Sequence, residues 1–497
     1  MVTPNELSEL IAAYPEWLLV RESGKSFSLI SGEIELSVEN EDRTLVSFVD
    51  DSGFHSWRLN GSKFHEGAIE LDVAGPFARK RETIRLVPRE SASVLAAAVE
   101  LARLEKANEA ARFIESSIAS TKIIRVDLNA ENGRLGQIIF ERDKKRTAAL
   151  TDVTSSLTAE SILTASMMWL EKLAARSKNP ISDVLIIAET RQAKSLQKLL
   201  ALLNNRWRSK ITIAEIARRK DPPVLIELAA RKISQLWREK TKKLALPRDP
   251  QPSGLATHLV NLAPGQVDIV YSKQGETLRY LGLPFARVRT LLGKEKAWLG
   301  VNRSRRVLTQ ENINEVSELV SDLGKYRSPT SENPRHEYYR TSPEAWLESI
   351  LRRDIRKLDA NLILSPIYNQ FRTSNDKIDL LALRRDGRLV VIELKAQPDR
   401  EMIFQAADYW RKIELQRRRG ILQEADLFEG RKILDEPVLV YLVAPALSFH
   451  RDYEFFARSL SPEIELWRFE LHENWRAEIK VLARREFRDQ LTGLTNL

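Results

Sequence analysis

Lys377-Ile378-Asp379-Leu380-Leu381-Ala382-Leu383-Arg384-Arg385-Asp386-Gly387-Arg388-Leu389-Val390-Val391-Ile392-Glu393-Leu394-Lys395 reads as two apolar strands joined by a tight Asp-Gly turn. Asp379, Glu393 and Lys395 stand among aliphatic residues in this stretch. Two carboxylates and an ammonium on buried strands are costly unless they pair or hold a metal ion. That cost marks the segment as a candidate site.

The length of the turn decides whether the three residues meet. A two-residue loop, Asp386-Gly387, would pair Arg385 with Arg388 and turn Asp379 away from Glu393. A three-residue loop, Arg385-Asp386-Gly387 with Gly387 left-handed in a bulge, pairs Arg384 with Arg388. Asp379 then lies opposite Glu393, and Lys395 shares their face because side chains alternate along a strand. Such an oxygen-rich cluster suits Mg²⁺ or Mn²⁺ better than zinc, and the chain has no cysteine to offer a thiolate.

An Asp on one strand followed by Glu-x-Lys at the end of the next resembles the signature of the PD-(D/E)xK, or restriction-endonuclease-like, nucleases. The form Ile-Asp-Leu-Leu-Ala and then Val-Val-Ile-Glu-Leu-Lys is most similar to the catalytic domain of NucS-type endonucleases. Gln405 and Tyr409, one helical turn apart, match a Gln and a Tyr that follow Glu-x-Lys in that family. Upstream, Ser342-Pro343-Glu344-Ala345-Trp346-Leu347-Glu348 opens a helix, with Ser342 as N-cap and Pro343 in the first turn. The family carries an acidic residue there. Glu344 and Glu348 are both candidates that spacing does not separate, with preference given to Glu348.

The resemblance spans residues 336–497 and implies a Mg²⁺-dependent (or Mn²⁺-dependent) DNA endonuclease. It implies Asp379, Glu393 and the Leu394 carbonyl as metal ligands, with Lys395, Gln405, Tyr409 and Glu348 completing the catalytic set. Against it stands a chance Asp-x(13)-Glu-x-Lys spacing with solvated strand ends and a merely polar helix edge. The conjunction of apolar strands, turn parity, Gln/Tyr helix and acidic helix favours the nuclease. The competing class is a DNA- or RNA-binding or scaffold protein whose nuclease fold no longer cuts.

The whole chain fits this reading. With 497 residues it exceeds a single core, and 43% hydrophobic with 30% charged residues is ordinary globular composition. The net charge of +9 suits a polyanionic partner such as DNA. Arg372, Lys377, Arg384, Arg385 and Arg388 are read as basic residues beside the site. Further basic clusters lie at 79–81, 303–306, 352–353 and 417–419. No apolar run approaches the roughly 20 residues that cross a bilayer. Without a signal-peptide pattern or cysteines, a cytoplasmic protein is expected, and a homodimer is compatible. Walker A, GxGxxG and Gly-x-Ser-x-Gly patterns are absent, which leaves ATPase, dehydrogenase and serine-hydrolase readings without support.

The expected architecture is multidomain α/β. Residues 1–90 hold six short alternating segments, expected as a small β-barrel or sandwich. Residues 91–240 read as an α/β domain whose order (helix, three strands, helix, strand, helix, strand) repeats that of residues 336–497. A degenerate nuclease-like copy is one explanation and unrelated α/β topology the other. In the copy Thr151 and Val153 would replace Glu and Lys. Residues 253–327 form a small mixed connecting domain, and linkers are expected at 241–251 and 328–334. Trp346 and Trp410 read as helix anchors more readily than as base-stacking platforms.

Overall fold

The alternating residues near the N-terminus pair into one open sheet instead of a barrel or sandwich. The computed structural model describes residues 4–22, 24–40, 43–50, 53–65, 67–75, 81–89, 92–175, 180–219, 222–241, 251–272, 275–291, 294–301, 306–309, 312–365 and 379–487. In it β1 (Glu16–Arg21), β2 (Ser26–Ile30), β3 (Glu35–Asn40), β4 (Arg43–Asp50), β5 (Gly53–His65), β6 (Ala68–Ala74) and β7 (Arg81–Pro88) run antiparallel in the order β2-β1-β7-β6-β5-β4-β3. Closure would require β2 to pair with β3, and these are the two edges. Trp17, Leu19, Phe48, Ile69 and Leu86 form the core on one face, where α1 (Pro4–Ala12) adds Leu7 and Ile11.

Leu18 and Val20 point to the other face, beneath Leu95, Ala98 and Val99 of the 26-residue helix α2 (Ala92–Ser117). Farther along, Ala110, Ala111 and Ile114 of the same helix pack on a second sheet. A helix that buries different sides against two sheets has no single apolar stripe, which is the case here.

That second sheet comprises β8 (Thr121–Leu128), β9 (Leu135–Arg142), β10 (Lys145–Asp152), β11 (Val184–Glu189), β12 (Ile211–Ala217) and β13 (Val224–Leu228), in sequence order. β8, β9 and β10 are antiparallel neighbours, β10, β11 and β12 are parallel, and β13 returns antiparallel. The helices α3 (Ala159–Ala174) and α4 (Thr190–Ala201) make the crossovers that parallel pairing demands.

The chain divides into two compact units, residues 1–197 with 208–230, and residues 198–207 with 231–497. The expected linker at 241–251 falls largely outside the described residues. In the second unit α5 (Gly254–Asn261) precedes an antiparallel meander of β14 (Val267–Ser272), β15 (Gly275–Tyr280), β16 (Leu283–Leu291), β17 (Lys294–Leu299) and β18 (Arg306–Val307). After α6 (Asn314–Tyr326) and α7 (Pro343–Arg353) comes a sheet of β19 (Leu362–Leu364), β20 (Leu380–Arg384), β21 (Leu389–Leu394), β22 (Leu439–Pro445), β23 (Glu465–Leu471) and β24 (Val481–Glu486), again in sequence order. Its crossover helices are α8 (Met402–Arg418) and α9 (Tyr453–Ser459). Strand order and strand directions match β8 to β13 one for one. The repeat of element order in the sequence is therefore a repeat of topology.

The meander does not stand apart from the last sheet. One hydrophobic core runs from Leu278, Phe285 and Leu323 through Trp346 and Leu347 to Val390 and Val443. Trp346 and Trp410 are 0% and 1% exposed, so they are core anchors and present no face to a base. At the join, Leu281 and Gly282 both take positive φ (41° and 81°), the two-residue turn that matches strand twist. The guanidinium of the fully buried Arg327 donates to the carbonyls of Leu281, Tyr338, Thr341 and Ser342 and stacks on Trp346. Burial beside Arg476 pulls its pKa down to about 9. Ser342 sits at the helix start but is left-handed and makes no side-chain cap; its carbonyl serves Arg327 and Trp346 instead.

A Cβ at Gly282 would lie 1.9 Å from the Ala345 carbonyl oxygen in the first turn of α7. Gly282→Ala should therefore cost about 3 kcal/mol, from overpacking added to an unfavourable positive φ. Chemical denaturation measures it, and a loss within experimental error of zero would show that the join is loose.

Candidate functional site

The hairpin of β20 and β21 closes with a three-residue loop. The Arg384 amide donates to the Arg388 carbonyl at 2.8 Å, the Gly387 amide donates to the Arg384 carbonyl at 2.8 Å, and Gly387 has φ 93°. Leu380 pairs with Ile392, so the register continues to place Asp379 opposite Glu393. Directly opposed residues hold their Cβ atoms about 5 Å apart. The Leu394 amide donates to Asp379 Oδ2 at 2.8 Å. Glu393 is 2% and Lys395 7% exposed, whereas Asp379 is half-buried. Lys395 Nζ lies 3.1 Å from Glu393 Oε1 and 3.0 Å from Asp399 Oδ2.

These surroundings leave the charges imbalanced. Burial lifts Asp379 to about 7, the Leu394 amide offsetting part of the rise and Glu348 and Glu344 adding to it. Burial, then the neighbouring Asp379, pushes Glu393 well above the usual carboxylate range, against the pull of Lys395. Burial alone would lower Lys395, but Glu393, Glu344 and Asp399 outweigh it and hold the ammonium above its ordinary value. Glu393 Oε2 is buried without a hydrogen-bond partner among the described residues. A buried carboxylate oxygen left open beside a second carboxylate is the donor set that a hard divalent cation takes. Among the described residues, however, no group of three or more His, Cys, Asp or Glu side chains is placed to hold a metal ion.

The acidic helix α7 contributes both candidate residues, in different ways. Glu348 is 4% exposed and lies 3.4 Å from Arg279 Nη1 and 3.7 Å from Arg352 Nη1. Asp268 on β14 completes this group, 2.6 Å from Arg279 Nη2 and 3.1 Å from Arg352 Nη1. Glu344 accepts from the Ala396 amide, and burial raises its pKa while Lys395 draws it down. Spacing did not separate the two, and preference went to Glu348; the structure ties that residue to arginines and sets Glu344 toward Lys395 and Asp399. Sequence reasoning missed Asp399, Asp268 and Arg279, because no motif spacing reports which loops and sheets approach in space.

Gln405 and Tyr409 are half-buried on α8, which packs on β21 and β22. Arg372 and Lys377 lie outside the described residues. Arg384 and Arg385 do not flank the carboxylates: they sit at the turn, five and six residues along the hairpin from Asp379. At about 3.4 Å per residue that is on the order of 17 Å. Arg384 there bonds Asp386 and Tyr441. Arg388 pairs with Glu465 at 2.7 Å. Of the basic clusters, Arg352 is engaged by Asp268, and Arg417 and Arg418 are engaged by the fully buried Glu414.

The matching edge of the first unit is closed. Thr151 pairs with Gly136, the positions that correspond to Glu393 and Asp379. A Cβ on Gly136 would meet Ala107 Cβ at 2.8 Å, Thr151 Cγ2 at 3.1 Å and Val153 Cγ1 at 3.2 Å. No side chain fits where Asp379 stands in the other sheet. A separate cavity of about 400 Å³ opens beside Asp152, Gln192 and Arg218. Of its charges, Arg218 pairs with Glu109 and Glu189 and Lys106 with Glu109, while Asp152 accepts from the Thr154 and Leu157 amides.

No protein-family model matches the chain, and no curated protein matches it. Among solved structures it is similar to a repair endonuclease from Pyrococcus abyssi, at 13% identity over 43% of this chain and 95% of that one, with a TM-score of 0.16. No helix among the described residues is long and apolar enough to cross a membrane.

The raised carboxyl pKa has a measurable sign. A folded-state pKa above the unfolded value means that the folded chain binds the proton more tightly. Asp379 therefore stabilises the fold as pH falls and loses that contribution as pH rises from about 4 to about 7. In EDTA, Asp379→Asn should gain melting temperature relative to wild type at pH 8, and the gain should vanish by pH 4. Equal differences at both pH values would place Asp379 in an unstrained, solvated setting.

Proposed function

We propose that the chain is a divalent-metal-dependent nuclease that hydrolyses DNA phosphodiester bonds at Asp379, Glu393 and Lys395. The observation that supports it most is the unpartnered, buried Glu393 Oε2 facing Asp379 across the hairpin. Asp379, Glu393 and the Leu394 carbonyl would hold Mg²⁺ or Mn²⁺. When bound, such an ion supplies a Lewis acid for the phosphate and lowers the pKa of a water.

The residues of the chain do the rest. Lys395, held protonated by Glu393, Glu344 and Asp399, cannot serve as a general base at neutral pH. It donates instead to the negative charge that develops on the phosphate oxygens. Asp399 and Glu393 fix its ammonium from two sides. Arg279 balances Glu348, so the acidic helix can approach Asp379 without adding a bare charge. Gln405 and Tyr409, on the helix that covers β21, would orient the scissile phosphate. The first unit, with its closed edge, would hold DNA without cutting it.

A nicking assay on supercoiled plasmid and on single-stranded and branched oligonucleotides tests this reading. Cleavage should require added Mg²⁺ or Mn²⁺ and stop in EDTA. Asp379→Asn and Glu393→Gln, which keep size and shape, should each lower the rate by at least about 100-fold. Full activity in EDTA, or in both variants, would remove the assignment and leave a binding or scaffold role.

A further inference from the structure

The edge of the first unit that lacks the carboxylates carries two arginines, both on rigid supports. Asn129 and Asn132 lock the turn between β8 and β9. The Gly133 amide donates to the Asn129 carbonyl at 2.9 Å, the Leu135 amide to Asn129 Oδ1 at 2.9 Å and the Arg134 amide to Asn132 Oδ1 at 3.0 Å. Arg103 of α2 reaches this turn and donates through Nη1 to the Asn132 carbonyl at 3.2 Å. Arg134, which follows the turn, donates through Nη2 to Ser156 Oγ at 2.9 Å. The loop that carries Ser156 is fixed as well: Asp152 accepts from the Thr154 and Leu157 amides, and the Thr154 and Ser156 hydroxyls share a hydrogen bond of 2.7 Å.

These half-buried guanidiniums are left with unmet charge and unused donors. A guanidinium offers several N–H groups, yet each of the two makes one hydrogen bond among the described residues. Neither has a carboxylate within ion-pair distance among those residues. By contrast Arg218, Arg279 and Arg417 each meet one, at Glu189, Asp268 and Glu414. Arg103 Nε is buried with no partner. Burial, then repulsion from the neighbouring Arg134, lowers the pKa of Arg103, against the pull of Asp152. The Asp152 oxygens are themselves occupied, by Thr154, Leu157 and Gln192. Two cations held together in this way lack an anion between them.

Their place in the fold is that of the acidic helix residues of the other sheet. Ala107 has its Cβ against the point where a side chain on Gly136 would begin, as Glu348 stands near enough to Asp379 to raise its pKa. Arg103 lies one turn before Ala107, as Glu344 lies one turn before Glu348. Where the last sheet gathers Glu344, Glu348, Asp379 and Glu393, the first unit thus presents Arg103, Ala107, Gly136 and Thr151, with Arg134 beside them. One topology carries negative charge at one edge and positive charge at its twin. We propose that Arg103 and Arg134 bind a phosphate group at the edge of the first unit. A phosphate accepts from two guanidiniums at once and removes their mutual repulsion. It reaches the site either as a backbone phosphate of nucleic acid or as free phosphate. Such a site supplies the grip of a unit that holds DNA without cutting it, and it stands whether or not the other sheet cuts.

Two titrations of the full-length chain without metal test the site and separate the two sources. Binding of a fluorescein-labelled DNA duplex in EDTA, followed by anisotropy, should weaken about tenfold in Arg103→Gln and in Arg134→Gln, the loss of one charge-assisted hydrogen bond. The slope of log K against log salt should fall by about one in each. Lys122→Gln, which removes an exposed charge at the other end of β8 from Leu128 and Gly136, should leave both quantities unchanged. Inorganic phosphate should raise the melting temperature of wild type and of Lys122→Gln, and raise it less in either arginine variant. Weaker duplex binding in the arginine variants than in Lys122→Gln identifies a nucleic-acid phosphate as the ligand. Retained duplex binding with a smaller response to inorganic phosphate identifies free phosphate. Arginine variants that match Lys122→Gln in duplex affinity and respond to phosphate as wild type does would overturn the site.

Discussion

Two carboxylates held opposite each other on adjacent buried strands repel one another and lose hydration together. That constraint organises the second unit of this protein. The three-residue turn at Arg385, Asp386 and Gly387 fixes the parity, and with it the face on which Asp379, Glu393 and Lys395 meet. A one-residue slip would move Asp379 to the other side of the sheet and dissolve the cluster. Everything packed around the hairpin either tolerates this charge or balances it.

The balance comes from several elements. Lys395 and Asp399 form one ion-pair chain with Glu393, and Arg279 and Arg352 form another with Glu348 and Asp268. The second chain reaches into the meander, so the sheet before residue 300 helps to set the electrostatics of a site some eighty residues later. Arg327 joins the same two parts with neutral partners: its guanidinium is satisfied by backbone carbonyls without a carboxylate. Arg279 and Arg352 thus neutralise Glu348 and Asp268, while the charge at the hairpin itself is met by Lys395.

Much of this was legible in the sequence, for identifiable reasons. The Asp-Gly turn and alternating aliphatics define the hairpin because strand parity is a local property. The element order of residues 92–217 and 343–471 announces the repeated topology because crossover helices must separate parallel strands. The short edge strands Val224–Leu228 and Val481–Glu486 carry too few alternating positions to be seen. Glycine at 136 reads as nothing in particular until its neighbours show that a side chain has no room. Arg417 and Arg418 look like a phosphate-binding run, yet they exist to neutralise Glu414, which has 0% exposure. The open sheet formed by residues 16–88 escaped the reading because alternation specifies a two-faced strand without specifying which edges meet.

The central claim is that one sheet edge, at Asp379 and Glu393, is built to take a divalent cation while its topological twin at Gly136 and Thr151 is not. Mn²⁺ binding followed by electron paramagnetic resonance measures this without any DNA. The account predicts that bound Mn²⁺ is lost from both Asp379→Asn and Glu393→Gln and is unaffected by Thr151→Ala. Retention of bound Mn²⁺ in both carboxylate variants, or its loss from Thr151→Ala, would contradict the account.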